Sequence, residues 1–214
     1  MQTPHGDFLA KFPRWDGESR RGPANELIAG RLLERLGVER GRMALIELPD
    51  EIKAADPDFA PVIGNLGLGV ARIEAMDVAG AVSDAARNTS DHDVLAQVAV
   101  LRWLQNSDHS SGNWMLRGDQ LVAVDFAATP TDDVWRGVNR INSGLADHGG
   151  LNGRVDSMDP AVRAGVCGEI RAITEEVLKT ILDEIPSEWA TVEEKAVMLA
   201  ELLRRKEELL AELQ

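Results

Sequence analysis

Apolar residues repeat along the chain with two periods, and these periods predict where strands and helices lie. Short apolar runs bounded by proline, glycine or polar residues predict strands over residues 7–12, 42–48, 63–73, 114–116 and 121–125. Helical spacing predicts helices over residues 23–37, 91–106 and 159–184, and a last helix that begins at Thr191. Strands dominate the first third and helices the last half, so the pattern predicts an α+β chain with two lobes.

The last predicted helix has a heptad-like seam. It opens with the capping box Thr191-Val-Glu-Glu194. Residues spaced alternately by four and three then follow, with one lysine in the seam: Val192, Ala196, Leu199, Leu203, Lys206, Leu210 and Leu213. We favour one apolar face packed on the domain; the alternative is an intermolecular coiled coil, which predicts a homodimer through the C-terminal helix.

The charge balance limits the classes of partner. Among the 214 residues, 23 are Lys or Arg and 36 are Asp or Glu, giving a formal net charge of −13. A dense basic surface is needed to bind duplex DNA or an anionic membrane, so we expect neither as the main partner. The single cysteine, Cys167, lies in a predicted helix and is interpreted as a core residue. With no membrane-length apolar run and no signal-peptide pattern, the sequence predicts a soluble, cytoplasmic protein.

One segment combines residues suited to phosphoryl transfer. Asp108 and Asn113 lie five residues apart in a loop after a predicted helix, and Asp125 ends a strand twelve residues further on. Phosphoryl transfer to a hydroxyl needs a carboxylate that accepts the proton, and oxygen ligands that hold magnesium against the phosphates. A loop with this spacing, followed by a hairpin that ends in Asp, can place three such groups around one cleft.

This segment resembles the protein-kinase-like superfamily, in which an Asp-x4-Asn loop precedes an Asp-Phe-Gly-type metal-binding turn. Asn-Ser-Asp-His-Ser-Ser-Gly-Asn-Trp at 106–114 and Ala-Val-Asp-Phe-Ala at 123–127 are similar to small bacterial HipA-like kinase-fold proteins. The early segments 9–12 and 25–37 agree with that resemblance, which covers residues 7–128 with motifs.

The resemblance implies a two-lobed protein-kinase-like fold. A small, strand-rich N-lobe with the strand lysine and the glutamate helix would span residues 1–76. A mostly helical C-lobe with the catalytic loop, the metal-binding turn and the C-terminal helices would span residues 77–214.

The resemblance also implies roles for individual residues. Asp108 would be the catalytic base, while Lys11 would contact the nucleotide phosphates and pair with Glu26. Asn113 and Asp125 would be the magnesium ligands.

The implied cofactors are ATP and Mg²⁺. The strand and hinge at residues 70–76 would lie beside the adenine, with Glu74 and Ala75 binding the nucleotide through the backbone. The implied reaction is phosphorylation of a hydroxyl on an unknown substrate, a protein or a small molecule. The basic residues Arg14, Arg20 and Arg21 near Lys11 are further candidates for phosphate contacts.

The sequence also departs from the family pattern. The segment before Lys11 has a single glycine, Gly6, where a glycine-rich hairpin is expected. Ala127 replaces the glycine after Asp-Phe, and Ser107 stands where an arginine commonly precedes the catalytic Asp. The alternative is therefore a pseudokinase-like nucleotide-binding or regulatory interaction module without transfer activity. Nucleotidyl instead of phosphoryl transfer stays open as well.

Overall fold

Two antiparallel sheets carry the strands of the computed structural model, which describes residues 2–3, 6–15, 21–71, 76–77, 82–105, 113–126 and 150–214. The first sheet has the order β1-β2-β4-β3, with bounds Gln2–Thr3 (β1), Gly6–Lys11 (β2), Met43–Glu47 (β3) and Leu66–Ala71 (β4). The second has the order β5-β6-β7, with bounds Met76–Asp77 (β5), Trp114–Arg117 (β6) and Gln120–Ala123 (β7). The predicted boundary between residues 76 and 77 falls within β5 and stays a prediction.

Helices fill most of the second half of the described chain, as the periodicity predicts. They are Gly22–Arg35 (α1), Asp50–Ala55 (α2), Val82–Ala85 (α3), Asp91–Trp103 (α4), Asn152–Asp156 (α5), Pro160–Ala172 (α6), Glu175–Asp183 (α7) and Val192–Glu212 (α8). Short 3-10 turns lie at Pro57–Phe59 and Ala86–Asn88. The α+β class predicted from the sequence is confirmed.

Strand β4 is the centre of the first sheet and carries two glycines that its neighbours require. A Cβ atom at Gly67 would lie 2.6 Å from the ring of Phe12, and one at Gly69 would lie 2.5 Å from the side chain of Ile46. A larger residue at either glycine position would therefore displace Phe12 or Ile46 from its packing against β4. Lys11 pairs with Leu68 in the register of β2 and β4, and this pairing fixes the position of Lys11 on the sheet.

A continuous hydrophobic core joins α1 and β4 to the C-terminal helices. Helix α1 starts with Pro23 in its first turn and buries almost every side chain up to Gly30. The indole N–H of Trp103 donates to the carbonyl of Leu202 at 2.8 Å, and that of Trp189 donates to the carbonyl of Leu66 at 3.0 Å. These two bonds connect α4 to α8, and the segment before α8 to the first sheet.

The single helix predicted over 159–184 is wrong, because the chain breaks it after Ala172. Ile173 is extended and buried, and Thr174 caps the new helix α7 by accepting a hydrogen bond from the N–H of Val177. Lys206 of α8 donates to the carbonyls of Arg171 and Ile173 at 3.2 and 2.8 Å. The lysine that interrupts the predicted seam therefore satisfies carbonyls at the end of α6.

The last helix packs one face on the domain, as the favoured interpretation of its seam predicts. Its capping box is present, with Thr191 and Glu194 bonded reciprocally. Its buried positions are Met198, Leu202, Arg205, Lys206, Leu209, Leu210 and Leu213. Val192 and Ala196, the first two seam positions, are exposed. The homodimer through this helix stays a prediction.

Two further expectations concern Cys167 and membrane spans. Cys167 is buried on α6, so its interpretation as a core residue is confirmed. Across the described ranges, none of the helices combines the length and the hydropathy that crossing a bilayer requires.

Candidate active site around Lys11

Lys11 is the last residue of β2, and its ammonium group lies between two of the predicted carboxylates. Its Nζ atom lies 3.0 Å from Oε2 of Glu26 and 2.6 Å from Oδ1 of Asp125. Burial alone would lower the pKa of Lys11, but the two carboxylates outweigh it and raise that pKa above its usual value. The structure thus brings together three predicted site residues, two of which are 114 positions apart.

Glu26 is a buried carboxylate that accepts three hydrogen bonds. Its Oε2 atom accepts from Nζ of Lys11 and, at 2.8 Å, from the backbone N–H of Phe126; its Oε1 atom accepts from Nη2 of Arg40 at 2.9 Å. Burial alone would raise the pKa of Glu26, but Arg40 and Lys11 outweigh it and hold that pKa below its usual range. The carboxylate is therefore ionised at neutral pH and compensated on both oxygens.

Helix α1 positions Glu26, and buried as well as exposed ion pairs hold this helix against the C-terminal part of the chain. Arg21, just before α1, is 3% exposed and donates to Oε1 of Glu194 at 2.9 Å. Arg31, further along α1, binds Glu184 at 2.8 Å near the surface. Because α1 is also buried in the hydrophobic core, these contacts hold the backbone of Glu26 in place beside Lys11.

Two of the three arginines predicted near the phosphates, Arg14 and Arg21, are described by the structure, and both bind other protein groups. Arg21 lies buried against Glu194, and Arg14 donates to the backbone carbonyl of Asp58 at 3.3 Å. Arg20 lies outside the described residues. Arg21 is therefore corrected from a candidate phosphate ligand to an anchor of α1.

Arg40 is a site residue that sequence reasoning missed. It follows α1 in a polar loop, its side chain is 5% exposed, and its guanidinium carbon lies 4.8 Å from the ring centre of Phe126. This arginine thus contacts both Glu26 and the residue after Asp125. No periodic pattern marks it, because its partners lie in other elements.

Asp125 lies two residues after the end of β7, in a segment without regular secondary structure, residues 124–126, which we call the turn. Its φ angle is 62°, in the left-handed region that aspartate tolerates better than most residues with a side chain. The turn directs the half-exposed carboxylate of Asp125 towards Lys11, and the N–H of Phe126 towards Glu26. The ring of Phe126 is fully buried.

Asn113 lies at the same end of the hairpin as Asp125. Trp114 pairs with Ala123 across β6 and β7, and the N–H of Val124 donates to the carbonyl of Asn113 at 2.8 Å. The two predicted magnesium ligands therefore flank one end of a short ladder, as the hairpin prediction requires.

Gln97 and Thr89 hold the strand that leads to Asp125. The side chain of Gln97 accepts from the N–H of Ala123 at 2.6 Å and donates to the carbonyl of Leu121 at 3.1 Å. The hydroxyl of Thr89 accepts from the N–H of Leu121 at 2.7 Å. Sequence reasoning missed both; a glutamine on the apolar face of α4 was the available signal.

The chemistry of the oxygen donors suits a hard cation. Asn113 offers an amide oxygen and Asp125 a carboxylate, which are ligand types that Mg²⁺ takes, usually with waters and phosphate oxygens. In the part of the chain that the structure describes, no group of three or more His, Cys, Asp or Glu forms a complete metal site. By chemical type alone, these two donors suit a cation whose other ligands are waters and phosphate oxygens.

Three predicted site residues, Asp108, Glu74 and Ala75, lie outside the described residues. Helix α4 ends at Trp103, five residues before Asp108, and β4 ends at Ala71, within the predicted strand and hinge at residues 70–76. Their roles stay predictions.

Comparison with known proteins gives a fold. No family model matches the chain, and no curated protein sequence matches it. Among solved structures, it is similar to the crystal structure of a Helicobacter pylori proinflammatory kinase, CtkA, with a TM-score of 0.55 and 13% sequence identity. The match covers 99% of this chain and 87% of that chain. The chain has a two-lobed protein-kinase-like fold.

At 13% identity the likeness concerns the fold alone. The chemistry must therefore be argued from the residues of the site.

Proposed function

We propose that this protein is an ATP- and magnesium-dependent phosphotransferase of the HipA-like kinase type, which phosphorylates a hydroxyl on a protein substrate. The observation that carries the proposal is the position of Lys11 between Glu26 and Asp125 in a kinase-like fold. A lysine held by one buried carboxylate and one half-exposed carboxylate is suited to bind phosphate oxygens beside a magnesium ligand.

The chain's own residues divide the work of the transfer. Lys11 binds phosphate oxygens, with Glu26 fixing the direction of its ammonium group. Asn113 and Asp125 would hold Mg²⁺, which would neutralise charge on the phosphates. Asp108 accepts the proton of the attacking hydroxyl as its oxygen bonds to the γ-phosphorus. The bond between that phosphorus and the β,γ-bridging oxygen breaks, and ADP leaves with the bridging oxygen.

An exposed leucine supports a nucleotide as the phosphate donor. Leu9 lies two residues before Lys11, hence on the same face of β2, and is 66% exposed. The register pairs it with Val70 of β4, near the end of the strand that leads to the predicted hinge. Leu9 and Val70 thus offer an apolar surface for a flat base next to the lysine that binds phosphate.

Nucleotide binding is the first test. With Mg²⁺ and ATP at 100 times the dissociation constant, we expect the midpoint of thermal unfolding to rise by about 5–10 °C. Lys11→Met should abolish this rise, whereas Lys179→Met, on α7, should leave it unchanged. An unchanged midpoint in the wild type would contradict the proposal at its first step.

Transfer is the second test. With γ-labelled ATP, Mg²⁺ and a pool of candidate substrates, the wild type should label its substrate, and Asp108→Ala should bind ATP without labelling. Label carried over from α-labelled ATP instead would indicate nucleotidyl transfer. A wild type that binds ATP and is as inert as Asp108→Ala would support the pseudokinase-like module in place of the phosphotransferase.

A further inference from the structure

Arg40 occupies a buried position between helix α1 and the segment that follows β7. Its Nη2 atom donates to Oε1 of Glu26 at 2.9 Å, and its guanidinium carbon lies 4.8 Å from the ring centre of Phe126. Only 5% of its side chain is exposed. Taking an arginine out of water is costly, and its retention here requires the carboxylate and the ring face together.

Helix α1 passes close to this arginine at a glycine. Gly30 lies one turn after Glu26, and a Cβ atom at Gly30 would lie 2.5 Å from the end of the Met43 side chain and 3.4 Å from Nη1 of Arg40. A larger residue would therefore displace Met43, whereas it would only touch Arg40. The backbone of α1 thus packs directly beside the guanidinium group that binds Glu26.

The contacts of Arg40 connect Glu26 to the turn, and these two orient the side chains of Lys11 and Asp125. Through Glu26 it bears on Lys11, because the two cations share one carboxylate. Through Phe126 it contacts the turn that contains Asp125, whose Oδ1 atom lies 2.6 Å from Nζ of Lys11. The N–H of Phe126 also donates to Glu26, so the arginine, the carboxylate and the turn form a closed set.

We propose that Arg40 is a positioning residue, which holds Glu26 and the Asp125–Phe126 turn in the phosphate-facing arrangement before nucleotide binds. The importance of that arrangement for catalysis rests on the proposed function, but the arrangement can be measured without nucleotide. Without Arg40, Glu26 depends on Lys11 for its charge compensation, and Phe126 loses the cation above its ring. The turn then separates from Glu26 more often, and Asp125 moves with it.

The chain offers a control for the contact between a cation and a ring. Arg42 lies two residues further on, is exposed, and its guanidinium carbon is 5.5 Å from the ring centre of Phe8 in β2. Arg42→Met therefore removes a cation from an aromatic ring of the first sheet without touching Glu26. Arg40→Met removes the cation that binds Glu26, and the Ala123 amide serves as the control for general loosening.

Amide hydrogen exchange at Phe126, measured by NMR without nucleotide, tests the proposal. We expect exchange at this amide to be about tenfold faster in Arg40→Met than in the wild type, because its bond to Glu26 opens more often. Arg42→Met should match the wild type. The amide of Ala123, which is held by Gln97, should keep its rate in all three proteins.

Two outcomes would overturn the proposal: an unchanged Phe126 rate in Arg40→Met, or equal acceleration of Phe126 and Ala123, which would indicate general loosening. If Arg40→Met does not fold, Arg40→Lys takes its place, because it keeps a cation near Glu26 and loses the planar contact with Phe126. It should then accelerate Phe126 about threefold relative to Arg42→Met, and equal rates would overturn the proposal.

Failure of the proposed function is recognised separately, as a wild type that does not bind Mg²⁺ and ATP. If nucleotide does bind, Arg40→Met should weaken the Mg²⁺-dependent affinity for ATP about tenfold while Arg42→Met leaves it unchanged. Equal affinities in the two variants would contradict a link between the turn and the nucleotide.

Discussion

The two carboxylates that bind Lys11 lie in regions that differ in secondary structure and in exposure to solvent. Glu26 lies on a regular helix, is 2% exposed and has a hydrogen-bond donor on both oxygens. Asp125 follows a short strand, is 50% exposed and has a left-handed backbone conformation. The same lysine therefore connects a buried anchor to an exposed turn.

This difference separates stability from ligand binding. The charge of Glu26 is surrounded by protein cations, so the fold depends on it, and burial leaves little room for a ligand. The charge of Asp125 borders solvent, so water and salt reduce the energy of its ion pair with Lys11. Its exposure also lets a cation approach. We infer that the helix end of the site sets the geometry and that the turn end responds to ligands.

Removal of the buried charge should produce the largest effect on stability. Glu26→Gln leaves Arg40 buried without a carboxylate, and we expect a loss of about 3–5 kcal/mol in the free energy of unfolding. Urea denaturation measures this loss. Glu34→Gln is the matched control on the same helix, because its ion pair with Arg31 is exposed and should change stability by about 0.5 kcal/mol or less. Similar losses in both variants would erase the distinction between buried and exposed carboxylates.

Acid should reduce the stability that the charge of Glu26 contributes. The pKa of Glu26 is lower in the folded protein than its usual value of 4.5, so the unfolded chain takes up this proton more readily. The stability due to Glu26 is therefore present above about pH 4.5 and is lost as the pH falls through the folded-state pKa. Urea midpoints from pH 6 to pH 3 should show the gap between wild type and Glu26→Gln narrowing in acid. A gap that stays constant over this range would contradict the depressed pKa.

The sequence predicts the elements of this site better than the contacts that close it. Lys11, Glu26 and Asp125 were identified because each lies in a segment with a family motif, and the strands and helices that carry them follow from apolar periodicity. Arg40 was missed because its loop has no such pattern and its partners are set by tertiary packing. The break after Ala172 was missed for the same reason, since the lysine that binds its carbonyls is 33 residues from Ile173.

Removal of the buried ion pair that anchors α1 should reduce the free energy of unfolding by an intermediate amount. Arg21→Met removes a buried cation from Glu194, whose other oxygen keeps the capping-box bond to Thr191 at 2.8 Å. The carboxylate is thus not left without a donor, and we expect a loss of about 1–3 kcal/mol in urea denaturation. Arg31→Met, at the exposed pair with Glu184, should cost about 0.5 kcal/mol. If Arg21→Met and Arg31→Met reduce the free energy of unfolding equally, burial of the arginine does not determine how strongly its ion pair stabilises α1.

Neutralising the exposed carboxylate should change stability least. Asp125→Asn keeps a residue that tolerates the left-handed conformation, and Lys11 keeps Glu26, so we expect a change of about 0–1 kcal/mol in the free energy of unfolding. The Mg²⁺-dependent part of the thermal shift with ATP should nevertheless disappear, because an amide is a weaker magnesium ligand than a carboxylate. Asp119→Asn, in the turn at the other end of the same hairpin, should keep that shift. A full shift in Asp125→Asn would remove Asp125 from the proposed metal site, whereas a large loss of stability would show that the turn is as much an anchor as the helix.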